Sequence, residues 1–301
     1  MWLEDLSSER TKEFVEREDL RARDFVKDYS DKLYPRLIDL YTEPVAYSFK
    51  TSLGGYYAIY REKTYYIKRF YRDKTEEIVF DANAIGRNVI VPVFYVSRKG
   101  DLLAVYLSEA GRDEGRVLII DTSTKEIIDE IRGDVRNIIF LNDQKIYYTK
   151  FFRREKCSDG TPPPCERVFI REGGRDEEIF GSGVSTGYFI SIKDSLVADK
   201  IFGVISEGWV RTWLLVGDIR DPSKWRVVHG GDVINTPIEY IDSDRLLFIK
   251  YDQSGMGRVL ILERDNVYEL VKESNEYLSN AFMLRDKLGV VYISRNCSNY
   301  I

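Results

Sequence analysis

Residues 183–187 read Gly-Val-Ser-Thr-Gly, the G-x-S-x-G spacing with which many hydrolases hold a nucleophilic serine on a sharp turn. The chemistry would be acyl transfer: the Ser185 hydroxyl attacks a carbonyl, a histidine takes its proton, and an acid orients the histidine. Such a serine needs a buried strand before it and a helix after it, so that its oxygen is exposed and the helix N-terminus faces the developing negative charge. The surroundings read differently. Ser185 comes after the polar "GSG" and before "YFISI", whose alternation predicts a strand. The one histidine, His229 in "RVVHGGD", is the sole base available, and it would have to reach Ser185 from another inter-strand connection. Both are expected to be turn residues, and no catalytic residue is assigned.

Other reactive types are equally unfocused. The acidic pairs Glu4–Asp5, Asp113–Glu114 and Glu177–Glu178 sit in a chain with 50 acids against 45 bases, where such pairs are usually solvated loop charge. Cys157 and Cys165 bracket "SDGTPPP". They read as two loop thiols or as a local disulfide across the mouth of a hairpin, and a metal site would lack further ligands nearby. Cys297 reads as a packed thiol. No phosphate-cradling loop, HExxH or Cys-x-x-Cys set is present, so no cofactor and no metal are expected. The formal net charge of −5 gives no electrostatic reason to expect nucleic acid. No apolar run approaches the roughly 20 residues that cross a bilayer, and the acidic start "MWLED" is unlike a secretory leader. A cytoplasmic protein is expected. Abundant Arg and Glu with only two glutamines, Gln144 and Gln253, lean towards a thermophilic source.

The elements that must position any site change character near residue 45. Residues 1–44 read as a helical segment: a helix over 2–28 capped by Ser7 or Ser8, then a second over 30–41, started by Ser30 or Asp31 with Pro35 in its first turns. From 45 to 301 the period becomes two and short β-branched and aromatic runs recur in sets. "GYYAIY", "TYYIKRF" and "EEIVF" are followed by "DLLAVYL", "RVLIID" and "EIIDEI", then by "KIYYTKFF", "ERVFIRE" and "EEIF". Two further sets begin at "FGVISEGWVRTWLLVGDI" and "RLLFIKY". Four antiparallel strands repeating every roughly 40–50 residues predict an all-β fold, a β-propeller. Blade starts fall near 45, 89, 137, 187 and 235, with two strands of a sixth in "LSNAFML" and "KLGVVYIS". A blade left unfinished presents an open edge, so further chain is expected to complete the ring.

The opening "WLEDLSSERTKEFVERE" resembles the N-terminal signature of the prolyl oligopeptidase family. "LYTEPVAYSFKTSLGGYYAIYR", "FYVSRKGDLLAVYLSEAGRDEGRVLIID", "IFLNDQKIYYTKFF" and "VISEGWVRTWLLVGDI" are similar, in order, to its entry into the propeller and successive blades. The resemblance implies a seven-bladed propeller stacked on an α/β-hydrolase domain that cleaves short peptides after proline. The Ser-Asp-His triad of that family lies in the part following the propeller, so this chain corresponds to the helical segment and about five and a half blades. By the same resemblance Trp209 stands where the family places a pocket-lining residue, often cysteine, and Ser206 where an arginine often stands. Thr186 and Phe189 should approach that face, as should Phe151 or Phe152.

Two functions are therefore expected. In the first, the chain is the non-catalytic propeller of a serine endopeptidase, inactive alone, which gates short proline-containing peptides to an α/β-hydrolase domain of the same or a neighbouring polypeptide. In the second it is a stand-alone propeller that binds a peptide or protein, with its open edges closed on each other or paired in a homodimer.

Overall fold

Ser8 starts a single long helix, α1 (Glu9–Thr42), its hydroxyl oxygen accepting from the Thr11 amide at 3.2 Å. The computed structural model describes residues 2–5, 7–86, 88–142, 145–284, 287–294 and 299–300; Cys297 lies outside them. Where the sequence predicts two helices there is one, with Pro35 in its interior. Ser30 and Asp31 do not start a new helix. Asp31 instead takes the Lys27 ammonium at 2.7 Å, one turn back, which carries the helix across the expected break. Pro35 removes one backbone donor, and the surrounding turns are exposed to water, which can satisfy the freed carbonyl.

Apart from a short 3-10 turn at Ala82–Ala84, the described elements after Thr42 are strands. The first sheet contains β1 (Val45–Ser52), β2 (Gly55–Arg61), β3 (Tyr65–Phe70) and β4 (Glu76–Asp81), paired antiparallel in that order. The second is β5 (Val89–Val96), β6 (Leu102–Glu109), β7 (Gly115–Asp121) and the first half of β8 (Ile127–Asn142). The second half of β8 opens the third, with β9 (Lys145–Phe152), β10 (Cys165–Glu172) and β11 (Arg175–Phe180). The fourth comprises β12 (Tyr188–Asp194), β13 (Lys200–Glu207), β14 (Arg211–Asp218) and β15 (Asp221–Gly231). The fifth comprises β16 (Ile234–Tyr240), β17 (Arg245–Tyr251), β18 (Arg258–Glu263) and β19 (Asn266–Val271). The last described strands are β20 (Tyr277–Leu284), β21 (Lys287–Ile293) and β22 (Asn299–Tyr300).

The sequence separates "EIIDEI" from "NIIFL", whereas β8 runs through both. Gly115 to Ile120 of β7 pair with its first half, and β9 pairs with its second half from Asp134 onward. Gly133, at φ +112°, sits at the changeover, a conformation a side chain would resist.

Packing follows from the two-residue period. Along β6, Leu103 and Val105 enter the core shared with the first sheet, while Ala104 and Tyr106 enter the core shared with the third. Along β17, Leu246 and Phe248 face back to the fourth sheet, and Leu247 and Ile249 face forward to the sixth. Alternate residues thus feed two different cores, which is why the inner strands are apolar on both faces while β11 and β19 are largely exposed. Sheets stacked face to face in sequence order make a β-propeller.

Candidate functional site

The ladder of the third sheet sets Asp134 of β8 opposite Phe151 of β9, and Phe151 opposite Glu166 of β10. Residues opposite one another in a sheet project to the same side, so a carboxylate, an aromatic ring and a second carboxylate stand in one row. Asp134 is buried and takes two guanidiniums. Arg136 reaches it in a fork with both contacts at 2.9 Å, and Arg153 reaches it at 3.0 and 2.8 Å. Both guanidiniums then lie over the Phe151 ring, 4.9 and 5.1 Å from its centre, in cation–π contact. Beside them a cavity of about 320 Å3 is walled by Pro92, Tyr106, Arg136 and Arg153. Burial pushes the Tyr106 phenol up to about 12, so it stays a neutral donor, and it donates to the Asp113 carbonyl.

Glu166 is more deeply held, with 1% of its surface exposed. One carboxylate oxygen accepts from the Ile190 amide at 2.8 Å, across the gap between the third and fourth sheets; the other lacks a well-formed hydrogen bond among the described residues, with the Thr149 hydroxyl nearby. Burial raises its pKa, against the lowering influence of that amide and of Arg136.

From the other side of the gap comes Phe189, whose ring centre is 5.5 Å from that of Phe151. Phe189 is opposite Ser206 in the ladder, and Ser206 opposite Thr212. Phe151, itself buried, thus packs on Phe189 across the gap, and Ser206 projects to the same side of the fourth sheet as Phe189. Phe152 does not join them: the strand alternation turns it to the other side of the sheet, where it packs on Phe169 at 6.3 Å. Trp209 caps the turn between β13 and β14 and is 93% exposed. The turn below it is tied by Arg211 to Glu207 at 2.8 Å.

Thr186 is fixed from the neighbouring hairpin. Its hydroxyl and the Gly187 amide both donate to the Pro164 carbonyl, at 3.1 and 2.8 Å. That hairpin loop is closed by a disulfide between Cys157 and Cys165, Cα to Cα 6.3 Å. Within it Asp159 accepts from the Gly183 amide at 2.7 Å and from Thr161, which hold its carboxyl well below the usual range. Asp159 also takes the wholly buried Arg167, whose guanidinium donates further to Val184 and Thr161. The 157–165 loop thus clamps the 181–187 connection.

Ser185 lies in that clamped connection, between β11 and β12, with a strand on either side and no helix after it. His229 is within β15, its ring 5.7 Å from Phe248. Its Nε2 is buried without a hydrogen-bond partner among the described residues, and burial followed by the Lys250 charge lowers its pKa. No hydrogen bond joins it to Ser185 among the described residues. The region gathers aromatic rings, guanidiniums and buried carboxylates.

The family model described as "Prolyl oligopeptidase, N-terminal beta-propeller domain" matches residues 1–298. The chain belongs to the prolyl oligopeptidase family. Among curated relatives, the prolyl endopeptidases of Elizabethkingia meningoseptica and Elizabethkingia miricola are 29% and 28% identical over 168 and 172 residues. Those stretches cover 52% and 53% of this chain and 24% of each relative. A solved prolyl endopeptidase structure superimposes with a TM-score of 0.82 at 17% identity, covering 97% of this chain and 46% of its own. Oligopeptidase B from Leishmania major gives 0.76 at 14% identity, covering 98% and 44%. The prolyl oligopeptidase match therefore concerns the propeller portion, and the chain spans under half the length of these relatives.

Proposed function

We propose that this prolyl oligopeptidase-family propeller presents short proline-containing peptides to an α/β-hydrolase portion carried by the same or a neighbouring polypeptide. The observation that carries the reading is the family match across residues 1–298, supported by the contact of Phe151 with Phe189; Ser206 and Trp209 are proposed for the same face. A pyrrolidine ring is apolar and rigid, and aromatic faces receive it at little entropic cost. Trp209 and Phe189 are the contacts proposed for it, with Thr186 holding the edge of the site and Arg136 and Arg153 facing peptide carbonyls.

The helix α1 supports a partner for the rest of the molecule. Thr11 is its one buried residue, while Phe25 is 84% exposed and Val15, Leu33 and Leu37 are each more than half exposed. So much apolar surface on one helix marks a docking surface, and the hydrolase portion is the occupant proposed. On this reading the chain holds peptide but does not cleave it. The test is a chromogenic proline peptide incubated with the purified chain. No turnover is expected, and turnover abolished by Ser185→Ala would overturn the assignment.

A further inference from the structure

His229 is the one histidine of the chain, and it stands where the outer strand of the fourth sheet meets the fifth. In β15 it lies opposite Leu214, beside a register shift in the pairing with β14, and its ring packs on Phe248 of β17 at 5.7 Å. Nε2 is buried there with no hydrogen-bond partner among the described residues. A neutral ring can keep its proton on Nδ1 and leave only a lone pair inside. Protonation turns Nε2 into a donor, and a buried donor without an acceptor is costly. The new charge also meets Lys250, two residues beyond Phe248 on the same side of β17 and the one charge that acts on the ring. The other charged side chains at this end of the two sheets are engaged with one another. Arg211 takes Glu207 at 2.8 Å and Asp232 at 3.8 Å. Arg258, opposite Lys250, takes Asp252, Glu269 and Glu273. Asn235 of β16, on the other side of Lys250 in the ladder, is uncharged.

The chain around His229 can leave without breaking a second ladder, because β15 is the edge strand of its sheet. Gly230 and Gly231 follow it, the latter at φ +127° with open space where a side chain would stand, a natural hinge. The crossover beyond is pinned to Thr212 of β14. The Thr212 amide donates to the Val233 carbonyl at 2.9 Å, the Asn235 amide to the Thr212 hydroxyl at 2.5 Å, and Asn235 Nδ2 to the Thr212 carbonyl at 3.1 Å. Arg211 and Thr212 are in turn opposite Glu207 and Ser206, so the crossover braces the base of the turn that carries Trp209. We propose that His229 is an acid-sensitive latch: taking a proton drives its ring out of the gap between the fourth and fifth sheets, releases residues 229–235 from Thr212, and loosens the Trp209 turn. A histidine whose proton affinity is lowered by folding adds stability that is full above its ordinary value and is lost as pH falls through its folded value. The latch is therefore shut near neutrality and opens in mild acid. It rests on the packing of the two sheets and stands apart from the peptide reading.

Backbone amide exchange of the full chain, expressed as protection relative to the intrinsic rate at each pH, reads the latch. Between about pH 7.5 and pH 5, protection at Thr212, Val233, Asn235 and Val210 should fall at least about threefold, with no comparable loss along β6. His229→Gln, which takes up no proton there, should hold protection constant over the same range. Lys250→Met removes the repelling charge and should shrink the loss; it decides the matter if His229→Gln does not fold. Protection that does not change with pH, an equal loss along β6, a loss that persists in His229→Gln, or one undiminished in Lys250→Met would overturn the proposal.

Discussion

Asp134→Ala strikes the residue on which the aromatic site is built. The substitution leaves two guanidiniums without their shared carboxylate. Removing one partner of a buried ion pair typically costs about 3–5 kcal/mol. Here Arg136 and Arg153 are 39% and 32% exposed, so water takes up part of the lost interaction, and Arg153 keeps Asp113 at 3.2 Å. The discounted cost is about 2 kcal/mol. At roughly 2 °C per kcal/mol for a chain of this size the melting midpoint falls by about 4 °C. The assay is a set of urea and thermal melts on the parent, Asp134→Ala, Arg136→Ala and the double variant. A coupling energy of about 1 kcal/mol between the two sites is expected, because they touch directly. Melting within about 1 °C of the parent, or a coupling near zero, would refute the claim that Asp134 anchors the cations over Phe151.

Other expectations follow from the same geometry. Because burial raises the Glu166 carboxyl, the folded chain holds its proton more tightly than the unfolded one. That stability is fully present below the ordinary glutamate pKa and is lost as pH rises through the folded value. Glu166→Gln should therefore gain on the parent as pH rises across that window and then hold a constant lead, read from urea midpoints between pH 4 and 8; a lead independent of pH would count against a buried titrating carboxyl. Cysteines 157 and 165 close a loop with a sequence separation of 8, worth about 2–3 kcal/mol by loop-closure entropy. Replacing both by serine should speed amide exchange in 157–165 and also in 181–187, and unchanged exchange in the second segment would show that it is not clamped. Trp209→Ala should leave the melting midpoint within about 1 °C of the parent, since the side chain is exposed, yet weaken proline-peptide binding measured by calorimetry; unaltered affinity would remove Trp209 from the site.

Much of the fold could be read before any coordinates, because the propeller depends on local signals. Period-two runs such as "DLLAVYL" and turn residues between them are sufficient to place β6 and its neighbours. Two boundary readings failed because the adjoining chain overrode the signal at the boundary itself. The start signal at Ser30 and Asp31 was outweighed by a helix already running, and β8 crosses two sheets because Gly133 lets the backbone turn without ending the strand. The site was less legible. Phe151 and Phe152 are adjacent and alike in sequence, and only the ladder register decides that Phe151 faces Phe189. Asp134 and Glu166 look like ordinary charges in amphipathic strands, and their burial comes from a neighbouring sheet that no local pattern records. The cysteines stayed ambiguous for the same reason, since their approach depends on the register between β9 and β10.

The central claim is that the face around Phe151, Phe189 and Trp209 receives proline-containing peptides. It is tested most directly by following backbone amide resonances of the chain as a short blocked Gly-Pro peptide is added. Saturable shifts in residues 186–189 and 206–209, with the 194–199 turn at the far ends of the strands unmoved, are predicted. A peptide that shifts neither segment, or that shifts the 194–199 turn instead, would contradict the account.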